Sequence, residues 1–397
     1  METSADFADF DFARMPEIHF GAGRLAELPQ LIRKPACRMV LVTGSASFQR
    51  SSLYEKLTRE LIQAGVHFFQ VAVAGEPSPA FIDQTVARYR NEKLDWVISI
   101  GGGSAIDAGK ALSAMLLQED SVTAYLEGME TKKHDGRKIP FIAIPTSSGT
   151  GAEATKNAVL SEIGRQGYKR SLRHDQFVPD MALIDPELML SCPPEVTAAC
   201  GLDALTQLLE AYVSTKSSPM TDALALSGLK HAAAGFIPAF KRGETHIEAR
   251  GHMAYAALLS GVTLANAGLG VVHGFAAPIG GYFPMPHGEV CGTLIGEATR
   301  MTIESLFDDA NKNRIALVKY AGAGVLLSGK ASSTIKQDCG LLVETLQHWI
   351  ELTRIPRLGN YGITQSDFCK ILDKTTSKNS PAALNREQMT AILEARL

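Results

Sequence analysis

The 397-residue sequence predicts a two-part protein, an α/β layer built on a largely parallel sheet followed by an all-α region. Two patterns carry this. In the first half, short runs of continuous hydrophobicity alternate with helix-period segments, as parallel strands buried on both faces require. Beyond Asp185-Pro186-Glu187 the helix-period segments lengthen and β-branched runs almost vanish.

Taken in order, Met39–Thr43, Phe68–Val73, Trp96–Ile100, Phe141–Ile144 and Met181–Ile184 read as strands bounded by Gly, Pro or Ser. Ala80–Glu92 and Ala105–Leu117 read as the crossover helices that parallel strands need. In the second half Ala198–Val213, Ile247–Asn266, Asn313–Leu327 and Ser333–Leu352 place Ala and Leu at helical spacing. The boundary falls near residue 188, giving domains 1–188 and 189–397, with no internal repeat.

Composition narrows the class. At 45% hydrophobic and 20% charged, the chain can fill two cores, and its net charge of −3 gives no broad attraction for nucleic acid or an anionic membrane. The amino terminus lacks the basic and apolar regions of a signal peptide, and no later stretch reads as a membrane span, so a cytoplasmic enzyme is expected. Six cysteines (37, 192, 200, 291, 339 and 369) form no C-x-x-C pair and imply neither disulfides nor a thiolate metal site, and most read as buried small hydrophobes.

The strand Trp96–Ile100 runs into Gly101-Gly102-Gly103-Ser104-Ala105-Ile106-Asp107 and then a helix. Glycines allow a diphosphate close to the backbone, and amides at a helix start carry partial positive charge. A tight turn capped by Ser104 is the alternative, and the run departs from G-x-G-x-x-G. A second strand ends in Pro145-Thr146-Ser147-Ser148-Gly149-Thr150-Gly151, whose hydroxyls would stand at the carboxyl edge of the sheet, where open α/β folds bind ligands. Two such loops converging on one crevice outline a Rossmann-like dinucleotide site.

In the helical half, Asp203 and Gln207 share one helix face, and His273 and His287 follow in Gly-rich and Pro-rich surroundings. A carboxylate with two imidazoles is a reasonable ligand set for a divalent metal acting on an alcohol oxygen. Spacing alone leaves open that each histidine is a hydrogen-bonded structural residue.

These residues, in this order, resemble the iron-containing (group III) alcohol dehydrogenase family from about Pro16 to the carboxyl terminus. Pro16-Glu17-Ile18-His19-Phe20-Gly21-Ala22-Gly23 looks like its opening strand, Gly101–Lys110 like its G-G-G-S-x-x-D-x-x-K loop, and Pro145–Thr155 like its hydroxyl-rich loop. Asp185-Pro186, Pro193-Pro194 and Gly201–Thr206 resemble its interdomain passage and first metal-ligand helix. The resemblance implies an N-terminal Rossmann-like dinucleotide-binding domain and a C-terminal helical domain, a dehydroquinate synthase-like architecture, with homodimerisation. It implies cofactor contacts at Gly101, Gly102, Gly103, Ser104, Asp107, Thr146, Ser147, Thr150, Asn157 and Lys169, and metal ligands at Asp203, His273 and His287.

Two departures stand out. Gln207 occupies the place where most members have a second histidine ligand, and its amide oxygen donates less strongly, which weakens the case for iron over zinc. Ala277 stands where many members carry a histidine near the nicotinamide, and a methyl group relays no proton. The strand Met39–Thr43 ends in Gly44-Ser45-Ala46-Ser47, without the acidic residue that repels a 2′-phosphate, so Gly44 and Ser45 join the cofactor site and the balance tilts from NAD to NADP.

The reading is therefore hydride transfer between NAD(P) and a small alcohol, aldehyde or ketone. Asp203, His273 and His287 act as catalytic metal ligands, and Gln207 ligates or bonds a metal-held water. Alternatives are a metal-independent oxo-acid reductase of maleylacetate-reductase type, a catalytically inactive dinucleotide sensor, and, more remotely, a lyase.

Overall fold

The computed structural model describes residues 9–44 and 47–397. Strands β1 (Glu17–Phe20), β2 (Arg38–Gly44), β3 (His67–Val73), β4 (Trp96–Gly101) and β5 (Phe141–Pro145) alternate with α1 (Leu28–Leu31), α2 (Ser52–Gln63), α3 (Pro79–Tyr89) and α4 (Gly103–Met115). A hairpin, β6 (Asn157–Glu162) and β7 (Tyr168–Arg173), precedes the last strand, β8 (Met181–Ile184). The remainder is helical: α5 (Pro194–Tyr212), α6 (Pro219–Arg242), α7 (Ile247–Ala267), α8 (Val271–Tyr282), α9 (His287–Phe307), α10 (Arg314–Ser328), α11 (Ile335–Thr353), α12 (Phe368–Leu372) and α13 (Arg386–Ala395).

Six strands form one parallel sheet in the order β1-β8-β5-β4-β2-β3. Alternate residues point to opposite faces, and both faces are covered. Val40, Val42, Val97 and Phe141 pack with Ile106 and Leu112 of α4. Met39, Leu41, Ile98 and Ile142 pack with Leu28, Leu57 and Leu61 of α1 and α2. This explains the unbroken hydrophobicity of the strands. Because β4 and β5 are neighbours, with Gly101 paired to Pro145, their two loops leave the same edge of the sheet side by side.

All five predicted strands form, with β2–β5 extending one or two residues beyond the predicted limits. The antiparallel hairpin β6–β7 escapes the sequence reading because its strands are only six residues long and offer no apolar run longer than Ala158-Val159-Leu160, with Leu172 alone among polar residues in the second half of β7.

In the helical half, α5 runs through the middle, packed by α6, α7 and α9. Helices α8 and α9 were not foreseen, since Pro278 lies inside one and Pro286 immediately before the other. Their glycines serve packing. A Cβ on Gly288 would lie 2.6 Å from the Ala199 carbonyl, and one on Gly292 3.0 Å from Leu202, so α9 sits hard against α5. At Gly268 (φ +71°) the chain turns, and α8 leaves α7 at 100°. Helix α6 is long and apolar enough, by length and composition, to cross a membrane, contrary to the sequence expectation; here it packs against α5 and α7.

The two halves meet where Ala154, Ala182, Ile184 and Met189 bury against Ala254, Leu258 and Val262 of α7. At their centre, Gly151 (φ +60°) and Gly261 touch backbone to backbone. A Cβ on Gly151 would come within 2.4 Å of the Gly261 nitrogen.

Candidate active site

The glycine loop is shaped by its neighbours. A Cβ on Gly101 would fall 2.6 Å from Ala105 and 3.2 Å from the Gly44 nitrogen; one on Gly103 would fall 2.7 Å from Thr150 Oγ1, and one on Gly102 3.3 Å from Ser147 Oγ. Gly44, Gly101, Gly102, Gly103, Ser147 and Thr150 thus converge, and the Thr146 N–H donates to the Gly101 carbonyl at 2.9 Å. Gly102 caps α4 without any side-chain bond, so the first amides of that helix, Ser104 among them, stay available to an anion. Ser45 lies outside the described residues.

A buried lysine fixes the second loop. Lys110 Nζ donates to the carbonyls of Ala152, Thr155 and Asn157 at 2.8 Å and lies 2.9 Å from Thr155 Oγ1, tying α4 to the start of β6. Burial lifts the nearby Asp107 carboxyl to about 6 and the Glu153 carboxyl to about 7, against the pull of Lys110. Asn157 Nδ2 donates to Ser171 Oγ at 3.3 Å. Lys169 pairs with Glu76, which also accepts from Ser161, and this pair lies within electrostatic reach of His287.

The helical half brings four side chains to one point: Asp203 of α5, His273 from the first turn of α8, and His287 and Cys291 from the first turns of α9, with ligand atoms all within 4.8 Å of one another. Asp203 Oδ1 lies 3.4 Å from His273 Nε2 and 3.7 Å from His287 Nε2. Cys291 Sγ lies 3.6 and 3.8 Å from the same two nitrogens. Behind His273, Glu210 Oε2 sits 2.7 Å from Nδ1.

Asp203 is 1% exposed, yet its Oδ1 has no hydrogen-bond partner. A buried carboxylate oxygen left unpaired is costly, and convergence with two imidazole nitrogens makes a divalent cation the group that fits. Burial opposes the charge on Asp203, but His287 and His273 outweigh it and hold the carboxyl at about 2. Burial likewise lowers His287 to about 4. Burial also opposes a charged His273, but Cys291, Glu210 and Asp203 hold its pKa well above the ordinary value.

Of the residues singled out from sequence, Asp203, His273 and His287 come together at one point. Gln207 is committed elsewhere, its Oε1 accepting from Ser260 Oγ at 2.7 Å; Ser260 Oγ is also 3.4 Å from the Gly149 carbonyl, so α5, α7 and the hydroxyl-rich loop meet there. Cys291, Glu210 and Glu76 were missed. A signal for Cys291 existed, since it follows His287 by four residues and shares its helix face, whereas nothing local marks Glu210, which is sixty-odd residues from His273.

The family model described as iron-containing alcohol dehydrogenase matches residues 16–186, and that of the Fe-containing alcohol dehydrogenase C-terminal region matches residues 197–397. The chain is 33% identical to long-chain-alcohol dehydrogenase 1 of Geobacillus thermodenitrificans, covering 96% of this chain and 95% of that protein. It is 31% identical to the NADPH-dependent butanol dehydrogenase of Clostridium saccharobutylicum, covering 95% of each. Among solved structures, the alcohol dehydrogenase from Oenococcus oeni superposes with a TM-score of 0.86 at 26% identity, over 98% of this chain and 100% of that one.

Proposed function

The chain belongs to the iron-containing alcohol dehydrogenase family and is an oxidoreductase, and we propose that it transfers a hydride between NAD(P) and a small alcohol or its aldehyde or ketone, using a divalent metal. The observation that carries the metal reading is the orphaned, buried Asp203 Oδ1 facing the Nε2 atoms of His273 and His287.

Asp203, His273 and His287 would hold the cation, which supplies Lewis-acid polarisation of the substrate oxygen when bound. Glu210 orients His273 so that Nε2 faces the cluster. Gly101, Gly102, Gly103 and Ser104 would receive the cofactor diphosphate at the start of α4, with Thr146, Ser147 and Thr150 lining the opposite side and Asp107, Asn157 and Lys169 flanking it. Ala277 is exposed, which lets water take the place a histidine would fill, and the proton exchanged at the substrate oxygen passes to solvent.

The proposal extends to NADP as the preferred cofactor, because Gly44-Ser45-Ala46-Ser47 carries no acid to repel a 2′-phosphate and Arg50 is exposed nearby. It also extends to domains 1–188 and 189–397, a homodimer and a cytoplasmic location.

Metal analysis of the protein and of Asp203→Ala, beside turnover on a panel of short alcohols, tests the reading. Loss of metal and of turnover together is expected. Full activity in Asp203→Ala, or in protein stripped by a chelator, would favour the metal-independent reductase; cofactor binding with no turnover on any substrate would favour a sensor.

A further inference from the structure

We propose that Cys291 is a fourth metal ligand, a thiolate, so that the site is an aspartate, two histidines and a cysteine and takes a zinc-class cation rather than a purely oxygen-seeking one. The proposal rests on the metal reading above and specifies the donor set.

Geometry is the first argument. Bonds of about 2.05 Å to nitrogen or oxygen and about 2.3 Å to sulfur place tetrahedral ligands about 3.3 Å apart for N···O pairs and about 3.6 Å apart for N···S pairs. The two Asp203–histidine separations are 3.4 and 3.7 Å, and the two Cys291–histidine separations are 3.6 and 3.8 Å. These four of the six edges lie within a few tenths of an ångström of tetrahedral values, and the His273–His287 and Asp203–Cys291 pairs lie within 4.8 Å, so a cation would draw those donors inward.

The surroundings give the second argument. A buried cysteine is ordinarily a small hydrophobe, yet the Cys291 sulfur faces two imidazole nitrogens and the unpaired Asp203 Oδ1, itself on a residue only 1% exposed. On the same face of α5, the Gln207 amide oxygen accepts from Ser260 Oγ and Glu210 is engaged with His273 Nδ1 and the Val272 N–H. The sulfur is therefore the strongest uncommitted donor near the cluster, and thiolate favours zinc over calcium or magnesium. On binding, the thiol proton leaves to solvent and the thiolate bonds the cation. Zinc tolerates a fifth donor, so four protein ligands still admit substrate.

Cobalt(II) added to the chelator-stripped full-length protein, wild type and Cys291→Ser, provides the test. Wild type should show a near-ultraviolet thiolate-to-cobalt charge-transfer band together with visible d–d bands; Cys291→Ser should lose the first and keep the second, and its zinc affinity in chelator competition should fall at least ~10-fold. Cys291→Ala, which removes the sulfur without adding a buried hydroxyl, should behave alike. Visible bands without charge transfer in the wild type would overturn the thiolate ligand and leave the metal reading standing. No cobalt uptake by folded wild type would overturn both.

Discussion

Glu210 spans two structural jobs around His273: its Oε2 lies 2.7 Å from the imidazole Nδ1, and its Oε1 accepts the N–H of Val272 at 2.7 Å. The carboxylate thereby caps the start of α8 and fixes which ring nitrogen faces Asp203.

Glu210→Gln keeps the shape but weakens the grip on the imidazole, because a neutral amide accepts a weaker hydrogen bond than a carboxylate. Metal affinity, measured by chelator competition, should fall ~10- to 100-fold while the folded content by circular dichroism stays unchanged. Unaltered affinity would show that Glu210 does not position the ligand.

Gly151→Ala should destabilise the protein by at least ~2 kcal/mol in denaturant unfolding, since the residue has φ +60° and its new Cβ would meet the Gly261 backbone at 2.4 Å. Gly164→Ala, with open space around it, should stay within ~0.5 kcal/mol of wild type. Equal behaviour of the two would contradict the tight junction.

Burial raises the Glu153 carboxyl from 4.5 to about 7, so the folded state favours its neutral form. The sign follows from proton counting: between these values the folded protein holds a proton that the unfolded chain has lost. Glu153 therefore contributes most below pH 4.5, and that contribution is lost as pH rises through 7, by up to about 3 kcal/mol. Glu153→Gln should flatten this part of the stability–pH profile, and thermal unfolding at pH 5, 6, 7 and 8 would check it. A parallel decline in both proteins would assign the pH dependence to other groups.

Ser45→Asp should turn cofactor preference from NADP towards NAD, lowering the ratio of kcat/KM values at least ~10-fold, by repulsion of a 2′-phosphate and acceptance of ribose hydroxyls. Steady-state kinetics with both cofactors reads this directly. An unchanged ratio would remove the Gly44-Ser45-Ala46-Ser47 segment from cofactor selection.

Much of the fold was legible in local pattern. Continuous apolar runs marked the core strands because both faces of the sheet are covered by helices, and Gly101–Gly103 marked a turn because nothing larger fits beside Ala105, Ser147 and Thr150. The same logic failed at α8 and α9. Their glycines and prolines argue against helices in isolation, but close packing of α9 on α5 outweighs that propensity. Lys110 looked like one motif position among several, and its role as a clamp on three carbonyls emerges only once α4 lies under the loop.

The chain order alone sufficed for the two-layer plan, the glycine cradle and the trio Asp203, His273 and His287, since each rests on periodicity, backbone freedom or an ordered family motif within short segments. The partners of that trio required the packed molecule. Glu210 reaches His273 because the 100° turn at Gly268 brings the first turn of α8 to α5, and Cys291 reaches Asp203 because Gly288 and Gly292 let α9 press against α5. Contacts between residues far apart in sequence depend on how helices cross, and no local stretch of residues encodes that angle.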